Sequence, residues 1–171
     1  MVLSPNKILL FHRDNIPSIP FPDCWHLVGG GIEEGESPEQ AIRREMSEEV
    51  SYVPEKIDYL AKIKGTLGED VYLFVCFIKK EEEKLFVHNP GEGQEIGFFT
   101  IEEALKLKMT PKTKELITWL SGKLAAGGGN ALTERSAKRK IKMVLMEPGN
   151  KTIDDRSRAG GKTADDRIKR N

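Results

Sequence analysis

Hydrophobic and polar positions change period several times along the first 122 residues, and each change marks an element. Short apolar runs bounded by turn-forming residues predict five strands, at residues 6–12, 25–29, 57–66, 70–79 and 95–100. The Gly-Glu-Asp sequence at 68–70 predicts a hairpin turn. Because apolar residues occupy both alternating sets of positions in 71–78, we expect that strand to be covered on both faces.

Helical signals occur in three places, at a helix beginning near Ser37-Pro38 and at residues 101–107 and 110–122. Ser37 is a candidate N-cap and Gln40 stands at the capping-box position. Apolar residues then recur on one side of each longer helix, as Ile42, Met46 and Val50 and as Leu116, Ile117 and Leu120. Strands before, between and after helices predict an α/β fold, with helices packed on a mixed sheet.

The charge distribution divides the chain into two parts. Residues 1–122 carry 14 basic and 21 acidic residues, whereas residues 123–171 carry 13 and 6, so the 171-residue chain is neutral only as a sum. Glycine-rich residues 125–130 have the composition of a linker. We predict a domain over 1–124 and a basic tail over 125–171, which either is a solvated segment or contacts anionic surfaces such as nucleic acid weakly.

The sequence also limits where the protein acts. The longest apolar runs are only a handful of residues, which excludes a membrane-spanning helix, and the N-terminal residues lack a signal-peptide pattern. The two cysteines, Cys24 and Cys76, do not form a disulfide framework. We therefore expect a cytoplasmic protein with no membrane partner.

The main candidate for chemistry is an acidic helix face. Glu45, Glu48 and Glu49 are spaced i, i+3 and i+4, so a helix places all three on one side. Like charges at this spacing repel and do not stabilise a helix. Such a face alone is more often simply solvated, but beside a glycine-rich turn it also suits a hard divalent cation. Arg44 is four residues before Glu48 and can orient its carboxylate.

This segment resembles the signature of the Nudix hydrolase family, G-x5-E-x7-R-E-U-x-E-E-x-G-U, in which U is a bulky aliphatic residue. The matching residues are Gly30, Glu36, Arg44, Glu45, Met46, Glu48 and Glu49. Six fixed residue types are in register, so the probability that the signature matches by chance from any one starting position is below roughly one in a million. Ser51 stands where the family has glycine, and Tyr52 where it has an aliphatic residue.

The resemblance implies an α/β/α sandwich that cleaves a diphosphate in a nucleoside diphosphate derivative, with Mg²⁺ or alternatively Mn²⁺ as cofactor. It implies Glu45, Glu48 and Glu49 as metal ligands, with the Gly30 carbonyl as a further candidate. Glu48 and Arg44 are then catalytic candidates, and Glu95, at the start of a predicted strand, is the candidate loop base. The alternative is a Nudix-fold module that binds a nucleotide or partner without hydrolysis. A homodimer is compatible with either function.

Overall fold

The computed structural model describes residues 1–125, in which six strands alternate with helices. The strands are β1 (Val2–Ser4), β2 (Lys7–His12), β3 (Trp25–His26), β4 (Asp58–Lys64), β5 (Asp70–Phe77) and β6 (Glu95–Phe99). The helices are α1 (Pro38–Val50), α2 (Ile101–Ala104) and α3 (Pro111–Ala125), with a 3₁₀ helix at Lys80–Leu85 between β5 and β6.

The six strands form one mixed sheet in the order β3-β2-β1-β5-β4, and β6 also pairs with β2. The β1–β5 pair is parallel and the other pairs are antiparallel. Phe11 on β2 lies opposite His26, whereas its neighbour His12 lies opposite both Trp25 and Glu95. Since directly opposed residues project from the same face of a sheet, this register assigns the side chains around the end of β2 to two different faces.

Helices cover both faces of the sheet, which confirms the predicted α/β/α arrangement. On one face Met46 and Val50 of α1 pack with Phe11. On the other face α3 contributes the buried stripe of Leu116, Ile117 and Leu120. Strand β5 supplies Val75 to one cluster and Cys76 to the other, so it is covered on both sides as its sequence predicts.

Several boundaries differ from the prediction, among them the end of α2, which stops at Ala104 rather than at residue 107. Strand β1 was not predicted, because three residues before the Pro5-Asn6 turn are too few to display a period. Strand β3 ends at His26 rather than at residue 29, because later amides turn towards the helices. The Leu27 N–H donates to Thr113 Oγ1 of α3, and the Gly29 N–H donates to Glu49 Oε2 of α1. Helix α3 continues to Ala125, three residues beyond the predicted end.

Helix α1 begins with the cap that its sequence predicts. The Ser37 hydroxyl accepts from the Gln40 N–H, while the Gln40 side chain accepts from the Ser37 N–H. This reciprocal pair satisfies two helix-end donors. At the other end Ser51 adopts a left-handed conformation with φ 51° and ψ 17°, a geometry that favours glycine.

Ser51→Gly should stabilise the protein by about 0.5–1 kcal/mol, because glycine enters the left-handed region without the penalty that a Cβ imposes. Ser47→Gly is the matched control, since Ser47 is an exposed residue inside the same helix. There glycine costs about 0.5 kcal/mol of helix propensity, so the same substitution should have opposite signs at the two positions. Urea denaturation measures both, and a destabilised Ser51→Gly would contradict the prediction.

The predictions for the C-terminal part lie outside the described residues, which end at Ala125. This applies to the basic tail and its possible contact with anionic surfaces. Within residues 1–125, none of the helices is both long and apolar enough to cross a membrane.

Candidate active site

The glycine-rich turn after β3 approaches the acidic face of α1 through its backbone. The Gly29 N–H donates to Glu49 Oε2 at 2.9 Å, and Gly29 has φ 137°, which strains any residue with a Cβ. A Cβ at Gly30 would lie only 2.5 Å from Glu45 Oε1. The two glycines therefore allow two of the three predicted carboxylates to lie directly against the main chain.

Arg44 connects the glycine-rich loop to the carboxylates. Its guanidinium donates to both oxygens of Glu36 at 3.1 Å and to the carbonyl oxygen of Gly31 at 2.8 Å. Its Nη1 also donates to Glu45 Oε1 at 2.8 Å and to Glu48 Oε2 at 2.9 Å. The fork geometry of a guanidinium suits such multiple contacts. Arg44 thus fixes the loop and two of the predicted ligands relative to one another.

Electrostatics divide these carboxylates into two groups. Hydrogen bonds from Arg44 lower the pKa of Glu36. Burial raises the pKa of Glu45 and raises the pKa of Glu49 to about 8, and the neighbouring acidic side chains add to both effects. Glu49 is only 7% exposed and accepts a single backbone hydrogen bond. An ionised carboxylate at this position therefore needs additional positive charge.

A histidine of the sheet lies close to Glu49. His26 Nε2 lies 3.8 Å from Glu49 Oε1 and has no hydrogen-bond partner among the described residues. Burial and the nearby Arg13 lower the pKa of His26 to about 3, so its ring is neutral at ordinary pH. The Arg13 charge also acts on Glu49 and lowers its pKa. Neither His26 nor Arg13 is among the candidate site residues that the sequence indicates.

A loop after the 3₁₀ helix packs against the C-terminal end of α1. The N–H groups of Val87 and Asn89 donate to the main-chain carbonyls of Val50 and Glu49. The same loop carries Glu92, and the Glu92 charge raises the pKa of both Glu45 and Glu49. Glu92 is therefore a fourth acidic group at this site, and the carboxylate-rich loop sequence around residues 92–95 was the only signal for it.

The structure does not bring Glu95 to the acidic helix face. Glu95 pairs with His12 across β2 and β6, and its Oε1 lies 3.4 Å from His12 Nδ1. His12 stacks on Trp25, which belongs to the cluster covered by α2 and α3. The strand register that gives Glu95 this position is not revealed by the sequence, and the catalytic role of Glu95 stays a prediction.

The donor set is chemically suited to a hard divalent cation. Glu45, Glu48 and Glu49 provide carboxylate oxygens on one rigid helix, and the Gly30 backbone lies against Glu45. Within residues 1–125, no three His, Cys, Asp or Glu side chains converge on one point as metal ligands do. At this site Arg44 Nη1 instead binds both Glu45 and Glu48. Binding a cation there requires a rearrangement of these side chains.

Comparison with known sequences gives one consistent result. Residues 1–120 match the NUDIX domain family. An RNA pyrophosphohydrolase of a Nitratiruptor species is 33% identical over 94 residues, which are 55% of this chain and 54% of that protein. An RNA pyrophosphohydrolase of Acinetobacter baylyi is 47% identical over 45 residues, 26% of this chain and 27% of that protein. The chain thus spans about half the length, or less, of the curated relatives it matches.

Solved structures show the same fold at low identity. An Ap4A hydrolase of C. elegans, solved as a binary complex, superimposes with a TM-score of 0.54 at 20% identity, over 73% of this chain and 96% of that one. A mutT/nudix family protein from Listeria innocua gives a TM-score of 0.56 at 20% identity, over 73% and 91% of the two chains. At this identity the likeness concerns the fold alone.

Proposed function

Because this chain belongs to the Nudix family, we propose that it hydrolyses a diphosphate linkage in a nucleoside diphosphate derivative with the help of Mg²⁺, or alternatively Mn²⁺. The observation that carries the proposal is the buried carboxylate of Glu49, which the Gly29 N–H orients beside Glu45 and which forms no salt bridge with a lysine or arginine of residues 1–125. A protein that only used α1 for packing would gain nothing from this arrangement.

Glu45, Glu48 and Glu49 would hold the cation, with the Gly30 carbonyl as a further ligand. A bound Mg²⁺ neutralises phosphate charge, polarises the P–O bond and lowers the pKa of the attacking water. The chain's own residues supply orientation. The Gly29 N–H fixes the Glu49 carboxylate, and Arg44 holds Glu45 and Glu48 against the loop. Such supporting contacts are what give a metal site its affinity.

A loop carboxylate is the best placed group to accept a proton from water. We assign this role to Glu92 in place of Glu95, because the Glu92 charge acts on two of the proposed ligands whereas Glu95 lies on the other face. Glu92 is exposed and can reach a solvent molecule at the edge of the cluster. Glu48, which is also exposed, remains with the ligands because Arg44 already tethers it to the helix.

Glu92→Gln should lower kcat by about 10²-fold, a typical loss when a general base is removed. Glu95→Gln is the matched control, since it removes the same charge from an exposed residue three positions later. It should change kcat less than threefold. Steady-state kinetics at saturating Mg²⁺ measure both variants. A larger effect at Glu95 than at Glu92 would restore the assignment made from the sequence.

The proposed function is tested with a panel of phosphoanhydrides and the full chain. The panel contains nucleoside diphosphate sugars, ADP-ribose, a dinucleoside polyphosphate and an RNA with a 5′-triphosphate, the last because the curated relatives are named RNA pyrophosphohydrolases. We expect release of phosphate, pyrophosphate or a nucleoside monophosphate with Mg²⁺ and none with EDTA. The Glu48→Gln variant should be strongly impaired. Ligand-induced stabilisation without any product would instead support the non-hydrolytic binding module.

A further inference from the structure

A buried histidine nitrogen faces one of the proposed metal ligands without bonding to it. Among residues 1–125, His26 Nε2 has no hydrogen-bond partner. Glu49 Oε1 lies 3.8 Å from this nitrogen, just beyond the ordinary range of a hydrogen bond. The other oxygen of the carboxylate, Oε2, accepts from the Gly29 N–H at 2.9 Å. A small closure between the ring and the carboxylate would therefore give both Glu49 oxygens a donor.

The surrounding elements hold both side chains in place. His26 is the last residue of β3 and lies opposite Phe11 of β2. The Phe11 ring meets the imidazole edge to face, with centroids 5.2 Å apart and an interplanar angle of 86°. Glu49 belongs to the last turn of α1 and is only 7% exposed. Since a buried polar nitrogen without a partner costs free energy, packing alone does not account for an imidazole at this position.

A neutral imidazole has the chemistry that an ionised Glu49 needs at this point. A carboxylate must be ionised to bind a metal ion. Burial lowers the pKa of His26 to about 3, so its ring is neutral and carries a single N–H. With the proton on Nε2, the ring is a donor that adds no charge to the site. Carboxylates that bind metals are ordinarily held by hydrogen bonds of this kind, which orient them.

We propose that His26 is a positioning residue for Glu49, and that its Nε2–H donates to Glu49 Oε1 when a divalent cation is bound. This inference rests on the proposed function for the assignment of Glu49 as a metal ligand. His26 acts through Glu49, in the same way as the Gly29 N–H does from the other oxygen. Its loss should therefore lower the affinity for the metal ion itself, before any substrate is present.

The first test is binding of Mn²⁺ alone, measured by calorimetry on the full chain. His26→Phe keeps an aromatic ring without nitrogens and should weaken Mn²⁺ binding by about 10- to 100-fold, as loss of a metal ligand's supporting partner does. His26→Gln retains an N–H donor and should stay within about threefold of the wild type. The matched control is His12→Phe, since His12 lies on the neighbouring strand but stacks on Trp25 at the other face. It should bind Mn²⁺ within about twofold of the wild type.

The second test needs no substitution. Nitrogen NMR of the wild type, with the histidine rings labelled and assigned by through-bond correlations, reports which ring nitrogen carries the proton. With saturating Mg²⁺, we expect the His26 proton on Nε2. A His26 ring that carries its proton on Nδ1 alone under these conditions overturns the inference, because Nε2 then has no proton to donate.

The outcomes of the binding test separate the two proposals. Mn²⁺ affinity of His26→Phe within twofold of the wild type overturns the role of His26. An equal loss in His26→Phe and His26→Gln, or in His26→Phe and His12→Phe, also overturns it, because the effect then lies in packing. If His26→Phe does not unfold cooperatively, the NMR measurement decides. A wild-type protein that binds no Mn²⁺ overturns the proposed function itself, whereas wild-type binding that His26→Phe leaves intact overturns only this inference.

Discussion

The Glu49→Gln variant should lose about 10³-fold in kcat and yet, in the absence of metal, unfold at a higher temperature than the wild type. The loss follows because several kcal/mol of charge stabilisation disappear with one metal ligand, and each 1.4 kcal/mol is worth tenfold in rate. The higher unfolding temperature follows from the burial of Glu49. The Glu49 carboxylate has its pKa raised to about 8, so ionising it opposes folding.

The stability that Glu49→Gln gains over the wild type should increase as pH rises. The pKa of Glu49 is higher in the folded chain than in the unfolded one, so the wild type loses stability as pH rises from about 5 to 8, by up to about 1.4 kcal/mol per pH unit. His26 acts oppositely below pH 6.5, because its pKa is lowered to about 3 and the unfolded chain binds the proton first. Because His26 is present in both proteins, its contribution to the pH dependence largely cancels in the difference between their stabilities.

The advantage of Glu49→Gln should thus grow from pH 5 to pH 8, reaching about 2–3 kcal/mol near neutrality, or about 5 °C in Tm. Thermal unfolding in EDTA measures it. Glu39→Gln on the exposed side of α1 is the control and should shift stability by less than about 0.5 kcal/mol. Adding Mg²⁺ or Mn²⁺ should stabilise the wild type but not Glu49→Gln. A Glu49→Gln protein that is less stable at pH 8, or that retains a tenth of the activity, would contradict this account.

Arg44→Lys should lower kcat by about 10²-fold although it preserves the charge. A lysine ammonium cannot replace the fork that contacts Glu36, Glu45, Glu48 and the Gly31 carbonyl together. Loss of comparable supporting contacts in metal sites weakens metal affinity by about 10- to 100-fold. We therefore expect higher metal concentrations to restore part of the activity. Activity titrated against Mg²⁺ measures this shift.

Arg43→Lys provides the comparison for Arg44, since the two residues are neighbours in sequence and on the same helix. Arg43 contacts Glu39 and the carbonyls of Pro54 and Glu55, away from the acidic face. Its conversion to lysine should leave kcat and the Mg²⁺ dependence within about twofold. Equal effects at the two positions would mean that Arg44 acts through the stability of α1, and the positioning role would then be wrong.

The local sequence of α1 was sufficient to predict its structure. The cap at Ser37 and the stripe of Met46 and Val50 depend on spacing and contacts within a few residues. Helical spacing likewise required the three carboxylates to share a face. The mixed sheet with helices on both faces followed from the alternation of strands and helices and from the two apolar faces of β5.

Sheet register and loop docking were not predictable in this way. Strand β1 is too short to display a period, and the early end of β3 depends on partners in α1 and α3 that lie far away in sequence. The choice between Glu92 and Glu95 depends on which face each leaves from, and a shift of one residue in a strand reverses the face. For that reason we propose Glu92 in place of Glu95 as the loop base.

The sequence by itself determined the fold class, the family resemblance and the acidic face of α1, because these depend on periodicity and on spacing within one helix. Only the tertiary structure decided how deeply those carboxylates are buried and which charges act on them. It buried Glu49 near His26 and against the Gly29 amide, and it brought the charges of Arg13 and Glu92 to act on that carboxylate. Burial and Coulomb interactions between residues far apart in sequence set charge and affinity, and these are properties of three-dimensional distance.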